Sequence, residues 1–127
     1  MIKLRTVVIG VLVMLSLGLA SSAQPQSPTN ITFQFKSNYQ YKVQVAFWSK
    51  TRNVVWPGGG QAYNLDDSKP HQVKLNCQAG EKVCYGGWVT GNAKLYWGVG
   101  ANGKLGCENC CYTCNDNMTP VISLNSN

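Results

Sequence analysis

The sequence contains few side chains that could act as acids or bases. Only five of its 127 residues are Asp or Glu, and His71 is the only histidine. A glycosidase needs two carboxylates that flank one glycosidic bond, and the few acids of this chain suggest no such pair. The composition therefore favours a non-catalytic protein over an enzyme of this class.

Helical periodicity and clusters of positive charge are missing as well. No segment keeps apolar residues at the 3.6-residue spacing of a helix for three turns. The formal net charge is +6, but the basic residues beyond the N-terminal segment are scattered singly. They do not form the dense patch that binds nucleic acid. A helical bundle and a nucleic-acid partner are therefore not expected.

The N-terminal segment has the pattern of an export signal. Lys3 and Arg5 give it a positive start, residues 7–20 are almost continuously apolar, and residues 21–23 are small. This pattern predicts a cleaved signal peptide over residues 1–23 and a secreted or periplasmic protein. The apolar run is shorter than the about 20 residues of a membrane-spanning helix, so we expect no stable membrane anchor after cleavage.

Short strands with frequent turns make up the rest of the chain. Apolar and polar residues alternate over 31–36 and again over 41–47, and 120–124 reads as a last strand. Alternation with a period of two is typical of half-buried strands. The sequence therefore predicts a flexible arm at 24–29 and a single all-β domain at 30–127, a small antiparallel β-sandwich or barrel.

Two tight hairpin turns are predicted in the second half of the chain. Gly80-Glu81 suits a two-residue type II′ turn, with glycine at its first central position. That register places Trp88 on the apolar face of the hairpin with Val73, and Tyr85 on the opposite face. Asn102-Gly103 predicts a second hairpin turn.

Six cysteines give the strongest signal in the sequence, because four of them lie within eight residues. Exported cysteines are normally oxidised, so we predict that disulfides staple the domain. A Cys77–Cys84 bridge across the predicted hairpin is one possibility, and a bridge from either cysteine to the C-terminal cluster is another. The predicted disulfide cysteines are Cys77, Cys84, Cys107, Cys110, Cys111 and Cys114.

The cysteine cluster also allows two functional interpretations. Cys107 and Cys110, like Cys111 and Cys114, have the C-x-x-C spacing of redox centres, and four thiolates could hold zinc. However, no helix pattern follows either pair to lower a thiol pKa, and an oxidising compartment competes with a metal for the thiols. An extracytoplasmic thiol–disulfide redox protein remains an alternative, and no metal or other cofactor is expected.

A small hydrolase centred on His71 is a further alternative. Asp66, Asp67 and Ser68 lie close to His71 in the sequence, and a hydrolytic trio needs such side chains to converge on one point. The same residues are also explained by a turn, since Asp, Ser and Pro favour turns. No catalytic residue is therefore assigned.

Aromatic residues are numerous, with four Trp and six Tyr. Trp56 stands beside Pro57 and the glycine run 58–60, in a predicted loop, and Tyr96 and Trp97 are consecutive. Exposed aromatic rings can stack on a sugar or anchor a protein partner. We therefore predict a monomeric, non-catalytic binding module for an envelope glycan or protein. Its candidate ligand contacts are Trp56, Tyr96 and Trp97, with Trp56→Ala expected to weaken binding and to spare the melting temperature.

Four segments carry a resemblance that covers about residues 31–124. They are Val55–Gly58, Cys84–Trp88, Tyr96–Gly100 and Cys107–Cys114. Together they resemble a family of small secreted bacterial proteins of unknown function, with a C-x2-C-C-x2-C cluster. That resemblance implies secretion and carries no activity. The opening strands and the glycine loop are also similar to the start of thaumatin-like domains, which are longer and use more cysteines.

Overall fold

The computed structural model describes Gly18 and residues 27–125, and these residues form nine strands and no helix. The predicted all-β class is therefore confirmed. The predicted signal peptide lies, apart from Gly18, outside the described residues, and no helix that could cross a membrane occurs within them. The strands are β1 (Pro28–Ser37), β2 (Val43–Ser49), β3 (Val55–Trp56), β4 (Tyr63–Leu65), β5 (His71–Gln78), β6 (Lys82–Val89), β7 (Asn92–Gly98), β8 (Cys111–Thr113) and β9 (Asn117–Leu124).

The strands form two sheets that pack as a sandwich. The smaller sheet has the order β5-β1-β9, with β1 antiparallel to β5 and parallel to β9. The larger sheet follows the path β3-β2-β6-β7, with β4 also paired to β2 and β8 also paired to β6. All pairs of the larger sheet are antiparallel. The β1–β9 pair is thus the exception to the predicted antiparallel arrangement.

The core lies between the two sheets and follows from the alternation in the sequence. Ile31, Phe33 and Phe35 of β1 are fully buried, as is Phe47 of β2. The ring centroids of Phe33 and Phe47 lie 4.5 Å apart. Burial of each such side chain contributes about 1.5–3 kcal/mol, so these aromatic contacts join the sheets.

The hairpin predicted at Gly80-Glu81 is wrong, because β5 and β6 belong to different sheets. The amide of Glu81 donates to the carbonyl of Gln78 over 2.9 Å, and Gly80 has a φ of 83°. Glycine is therefore the second central residue of the turn, where a type II turn requires it, and not the first, as in type II′. This turn carries the chain across from the smaller sheet to the larger one.

Because the chain crosses between the sheets, the side chains of β6 that point into the core are the opposite set from the one predicted. Tyr85 packs against the core, and Trp88 faces away from it, since residues three apart on a strand point to opposite faces. The hairpin predicted at Asn102-Gly103 is also absent, because no strand follows until Cys111. Gly103 instead packs against Trp48.

Three disulfides staple the sandwich, as predicted. Cys77 bonds to Cys114, Cys84 to Cys111, and Cys107 to Cys110. The first joins β5 of the smaller sheet to the segment after β8 of the larger one, and the second joins directly opposed residues of β6 and β8. Both upstream cysteines therefore reach the C-terminal cluster, and the three bridges point to an oxidising, extracytoplasmic compartment.

The three bridges are expected to contribute unequally to stability. Cys107 and Cys110 are 3 residues apart in the sequence, whereas Cys77 and Cys114 are 37 apart. A disulfide that closes a longer loop removes more entropy from the unfolded chain. Replacing Cys107 and Cys110 together by Ser should cost about 2 kcal/mol of unfolding free energy, and the same change at Cys77 and Cys114 about 4 kcal/mol. Urea unfolding measures both, and equal losses would contradict the assignment.

Candidate ligand-binding groove

A groove lies on the outer face of the larger sheet. Trp48 of β2 and Trp88 of β6 point to this face, because Phe47 and Tyr85 point into the core and neighbours along a strand alternate. The groove has a volume of about 410 Å³, within the range of small-ligand sites. Its lining consists of Ala46, Trp48, Val55, Gly58, Gly59, Gly60, Gln61, Trp88, Ala101 and Asn102.

Trp88 is held by a chain of side-chain hydrogen bonds across three strands. Its indole Nε1 donates to the side-chain oxygen of Gln44 over 3.2 Å, and Gln44 Nε2 donates to Asn64 Oδ1 over 3.2 Å. Gln44 pairs with both residues in the sheet register, so the three side chains stand in one row. The orientation of the Trp88 ring is thereby fixed before any ligand arrives.

Trp48 is held by glycines that approach it closely. A Cβ at Gly103 would overlap Cγ, Cδ2 and Cε2 of the Trp48 ring, and a Cβ at Gly86 would lie 2.8 Å from its Cζ3. Any other residue at Gly103 would therefore push the indole away. Trp48 remains only half-buried, and its accessible part forms a wall of the groove.

The groove has no charged side chain in its lining, and its polar groups are amides. Gln61 and Asn102 supply amide donors and acceptors, and the loop 58–60 adds peptide groups. All three glycines of this loop have positive φ, a conformation that residues with a Cβ rarely adopt. An uncharged ligand with several hydroxyl or amide groups would match this lining.

The three ligand contacts predicted from the sequence lie apart from each other. Trp56 and Trp97 pack against the core from the inner face of the larger sheet. Their indole nitrogens donate to the carbonyls of Asn76 over 3.1 Å and Asn125 over 3.0 Å. Tyr96 is 44% exposed on the outer face. Of the three, Tyr96 is the most exposed.

Trp48 and Trp88 were missed in the sequence for different reasons. Trp48 directly follows inward-facing Phe47, so the alternation over 41–47 already places it on the outer face. The face to which Trp88 points could not be predicted, because it depends on how the chain crosses between the sheets before β6. Val55 pairs with Trp48 in the sheet. This pairing depends on the two-residue strand β3, which was not predicted because the glycines that follow it indicate a loop.

The structure brings together two members of the predicted hydrolytic trio. His71 Nε2 lies 2.7 Å from Asp67 Oδ1. Hydrogen bonds from His71 and from the amide of Lys69 lower the pKa of Asp67. Ser68 makes no hydrogen bond to His71 within the described residues. A second cavity, of about 380 Å³, is lined by Asp66, Asp67 and Ser68 but not by His71. The geometry thus supplies a hydrogen-bonded Asp67–His71 pair without a serine hydroxyl bonded to the imidazole.

The two C-x-x-C pairs have different roles in the structure. Cys107 bonds to Cys110, whereas Cys111 and Cys114 bond to partners outside the cluster. The described strands and loops contain no helix whose N-terminus could lower a thiol pKa. They also contain no group of three or more His, Cys, Asp or Glu residues that could hold a metal ion. These contacts favour a structural role for the sulfur atoms.

Glu81, which was predicted in a hairpin turn, is a buried carboxylate. Its side chain is 0% exposed, and it accepts hydrogen bonds from Arg52, from Ser49 Oγ over 2.6 Å and from the amide of Gln78 over 3.0 Å. Burial alone would raise its pKa, but these donors, with Arg52 foremost, offset burial and lower the pKa to about 2. The Glu81 cluster therefore holds the crossing turn in place and is structural.

Comparison with protein-family models, with curated proteins and with solved structures found no match to this chain. The function is therefore inferred from the geometry of the groove and from the residues around it.

The Glu81 cluster predicts a loss of stability in acid. The pKa of Glu81 is about 2 in the folded protein, against 4.5 as its ordinary value, so folding favours the ionised form. Its contribution is complete above pH 4.5 and is lost as the pH falls towards 2, by about 2–3 kcal/mol. Glu81→Gln should remove most of this pH dependence in urea unfolding. Glu108→Gln, at an exposed position, is the matched control and should keep the slope.

The position of Trp56 predicts an effect on stability and reverses the expectation from the sequence. Because Trp56 packs against the core and uses its indole N–H, Trp56→Ala should cost about 2 kcal/mol of unfolding free energy. Tyr41, which is 59% exposed, provides the control, since Tyr41→Ala should change stability by less than about 0.5 kcal/mol. Equal melting temperatures for the two variants would mean that Trp56 is not part of the core.

Proposed function

We propose that this protein is an exported, non-catalytic binding module for an uncharged glycan, held in the groove on the outer face of the larger sheet. Export through the predicted signal peptide at residues 1–23, into the periplasm or the medium, is part of the proposal. The observation that carries it is the fixed pair of indoles, Trp48 and Trp88, in a groove without charged side chains.

Stacking on an aromatic ring supports a sugar as the ligand. One face of a pyranose ring presents C–H groups, which pack on the flat, apolar face of an indole, while its hydroxyl groups point to the sides. Trp88 offers such a ring in a fixed orientation. Gln61 and Asn102 at the groove can exchange hydrogen bonds with the hydroxyl groups, and aromatic bodies with a few placed polar groups are typical of ligand sites.

The size of the groove favours a glycan over a protein partner, and its composition favours binding over catalysis. A stable protein interface buries about 800 Å² on each partner, whereas this groove has the volume of a small-ligand site, about 410 Å³. Its lining holds no carboxylate, imidazole, thiol or amine that could act as an acid, base or nucleophile. The site is therefore equipped for binding without chemistry.

The proposal predicts that Trp88→Ala weakens glycan binding without unfolding the protein. Isothermal titration with maltohexaose, cellohexaose, laminarihexaose and chitohexaose should identify at least one ligand. Trp88→Ala should raise the Kd for it by about tenfold, equivalent to about 1.4 kcal/mol. Gln61→Ala, at an exposed position in the groove, should raise it severalfold.

Two controls separate loss of the site from loss of the fold. Tyr41→Ala removes an exposed aromatic ring outside the groove and should bind as tightly as the wild type. Hexagalacturonic acid, which carries a negative charge on every sugar, should bind more weakly than the neutral hexamers. Failure of all four neutral sugars to bind, or unchanged affinity in Trp88→Ala, would contradict the proposal.

A further inference from the structure

The aromatic surface continues beyond the groove onto the neighbouring strand. Tyr96 of β7 is the direct partner of Trp88 of β6 in the sheet register. Directly opposed residues of antiparallel strands lie on the same face, with Cβ atoms about 4.5–5.5 Å apart. Tyr96 is 44% exposed and is not part of the groove lining, so it stands at the rim as a separate ring beside Trp88.

The loop that follows β7 lies near Tyr96. A Cβ added at Gly100 would lie 3.6 Å from Tyr96 Cδ2, an ordinary van der Waals distance. Gly100 itself is buried, and its amide donates to the carbonyl of Trp97 over 3.2 Å. The buried loop after β7 therefore lies beside the Tyr96 ring.

The surface beyond Tyr96 is open. β7 pairs only with β6, so it is an edge of the larger sheet within the described part of the chain. Adjacent strands are about 4.8 Å apart, which is close to the length of one sugar unit in a glycan chain. A chain that lies across the strands can therefore place successive sugars on Trp88 and Tyr96 and leave the groove over β7.

We propose that the ligand is an oligosaccharide that runs across β6 and β7, with Trp88 and Tyr96 each carrying one sugar of the chain. The inference rests on the proposed function and adds the ligand's length and direction. A monosaccharide can occupy only the groove, whereas a longer chain gains a second stacking contact at Tyr96. Affinity should therefore rise with chain length, and the rise should depend on the Tyr96 ring.

The experiment measures affinity against chain length. The probes are the mono-, di-, tri- and hexasaccharides of the glucose β-1,4, glucose α-1,4, glucose β-1,3 and N-acetylglucosamine β-1,4 series, titrated into the full protein. For the series that binds, the wild type should gain about tenfold or more in affinity between the mono- and the hexasaccharide. Tyr96→Ala should abolish most of this gain and change the monosaccharide Kd far less than the hexasaccharide Kd, and Tyr96→Phe should keep the gain.

Leu95 provides the matched control. It precedes Tyr96 on the same strand and is 45% exposed, but it has no partner on β6, because the register of the two strands shifts at this point. Leu95→Ala should keep the full gain with chain length. If Leu95→Ala reduced binding as much as Tyr96→Ala, stacking on the Tyr96 ring would not explain the gain in affinity, and the inference would be wrong.

The outcomes separate the two levels of the proposal. A series that binds with no gain in affinity beyond the monosaccharide, or with a gain that persists in Tyr96→Ala, overturns the extended ligand and leaves the groove as the site. Absence of binding in every series overturns the glycan function itself, and the extended ligand with it.

Discussion

The structure depends on the crossing between the two sheets at residues 78–81. The amide of Gly80 donates to the carbonyl of Cys114 over 2.8 Å, and the amide of Cys114 donates to the carbonyl of Glu81 over 2.8 Å. Cys114 is also bonded to Cys77 at the end of β5. A buried carboxylate and two backbone hydrogen bonds thus fix this turn, and a disulfide fixes Cys77 directly before it. In a domain of this size, whose core is modest, such a fixed crossing holds the sheets in register.

The crossing also determines where the groove can form. A shift of one residue at the start of β6 would turn every side chain of that strand to the other face. In the register observed, Tyr85 enters the core and Trp88 stands on the outer face beside Trp48. Gly86 lies between Tyr85 and Trp88 on β6. A Cβ at this position would overlap the carbonyl oxygen of Gly100. The glycines therefore allow the loop after β7 to approach the sheet, and the aromatic rings form the walls above it.

Local patterns predicted the longer strands but not β3, β4 or β8, and contacts distant in the sequence decided how the strands are arranged. The alternation over 31–36 predicted the middle of β1, because a half-buried strand leaves a period-two signal in its own residues, but β1 begins at Pro28, within the predicted arm. Gly80-Glu81 was ambiguous, since glycine suits the first central position of a type II′ turn and the second of a type II turn, and only the strand partners distinguish them. The pairing of Glu81 with Arg52, 29 residues away, leaves no local signal at all.

The candidate site, like the fold, was only partly predictable from local sequence. The sequence predicted an aromatic binding face on a disulfide-stapled β domain, and Tyr96 remains part of the proposed site. Trp56 was expected in an exposed loop because glycines follow it, but β3 pairs it with Phe47 and brings it to the inner face. Trp88 was expected in the core because the sequence could not show that β6 starts a new sheet.

The four tryptophans allow one direct test of the account. Each indole N–H gives its own signal in a ¹H–¹⁵N correlation spectrum, and single Trp→Phe variants assign the four signals. On titration with the neutral hexasaccharide that binds, the signals of Trp48 and Trp88 should shift, and those of Trp56 and Trp97 should stay in place. Shifts confined to Trp56 and Trp97, or no shift at saturating sugar, would contradict a glycan site on the outer face of the larger sheet.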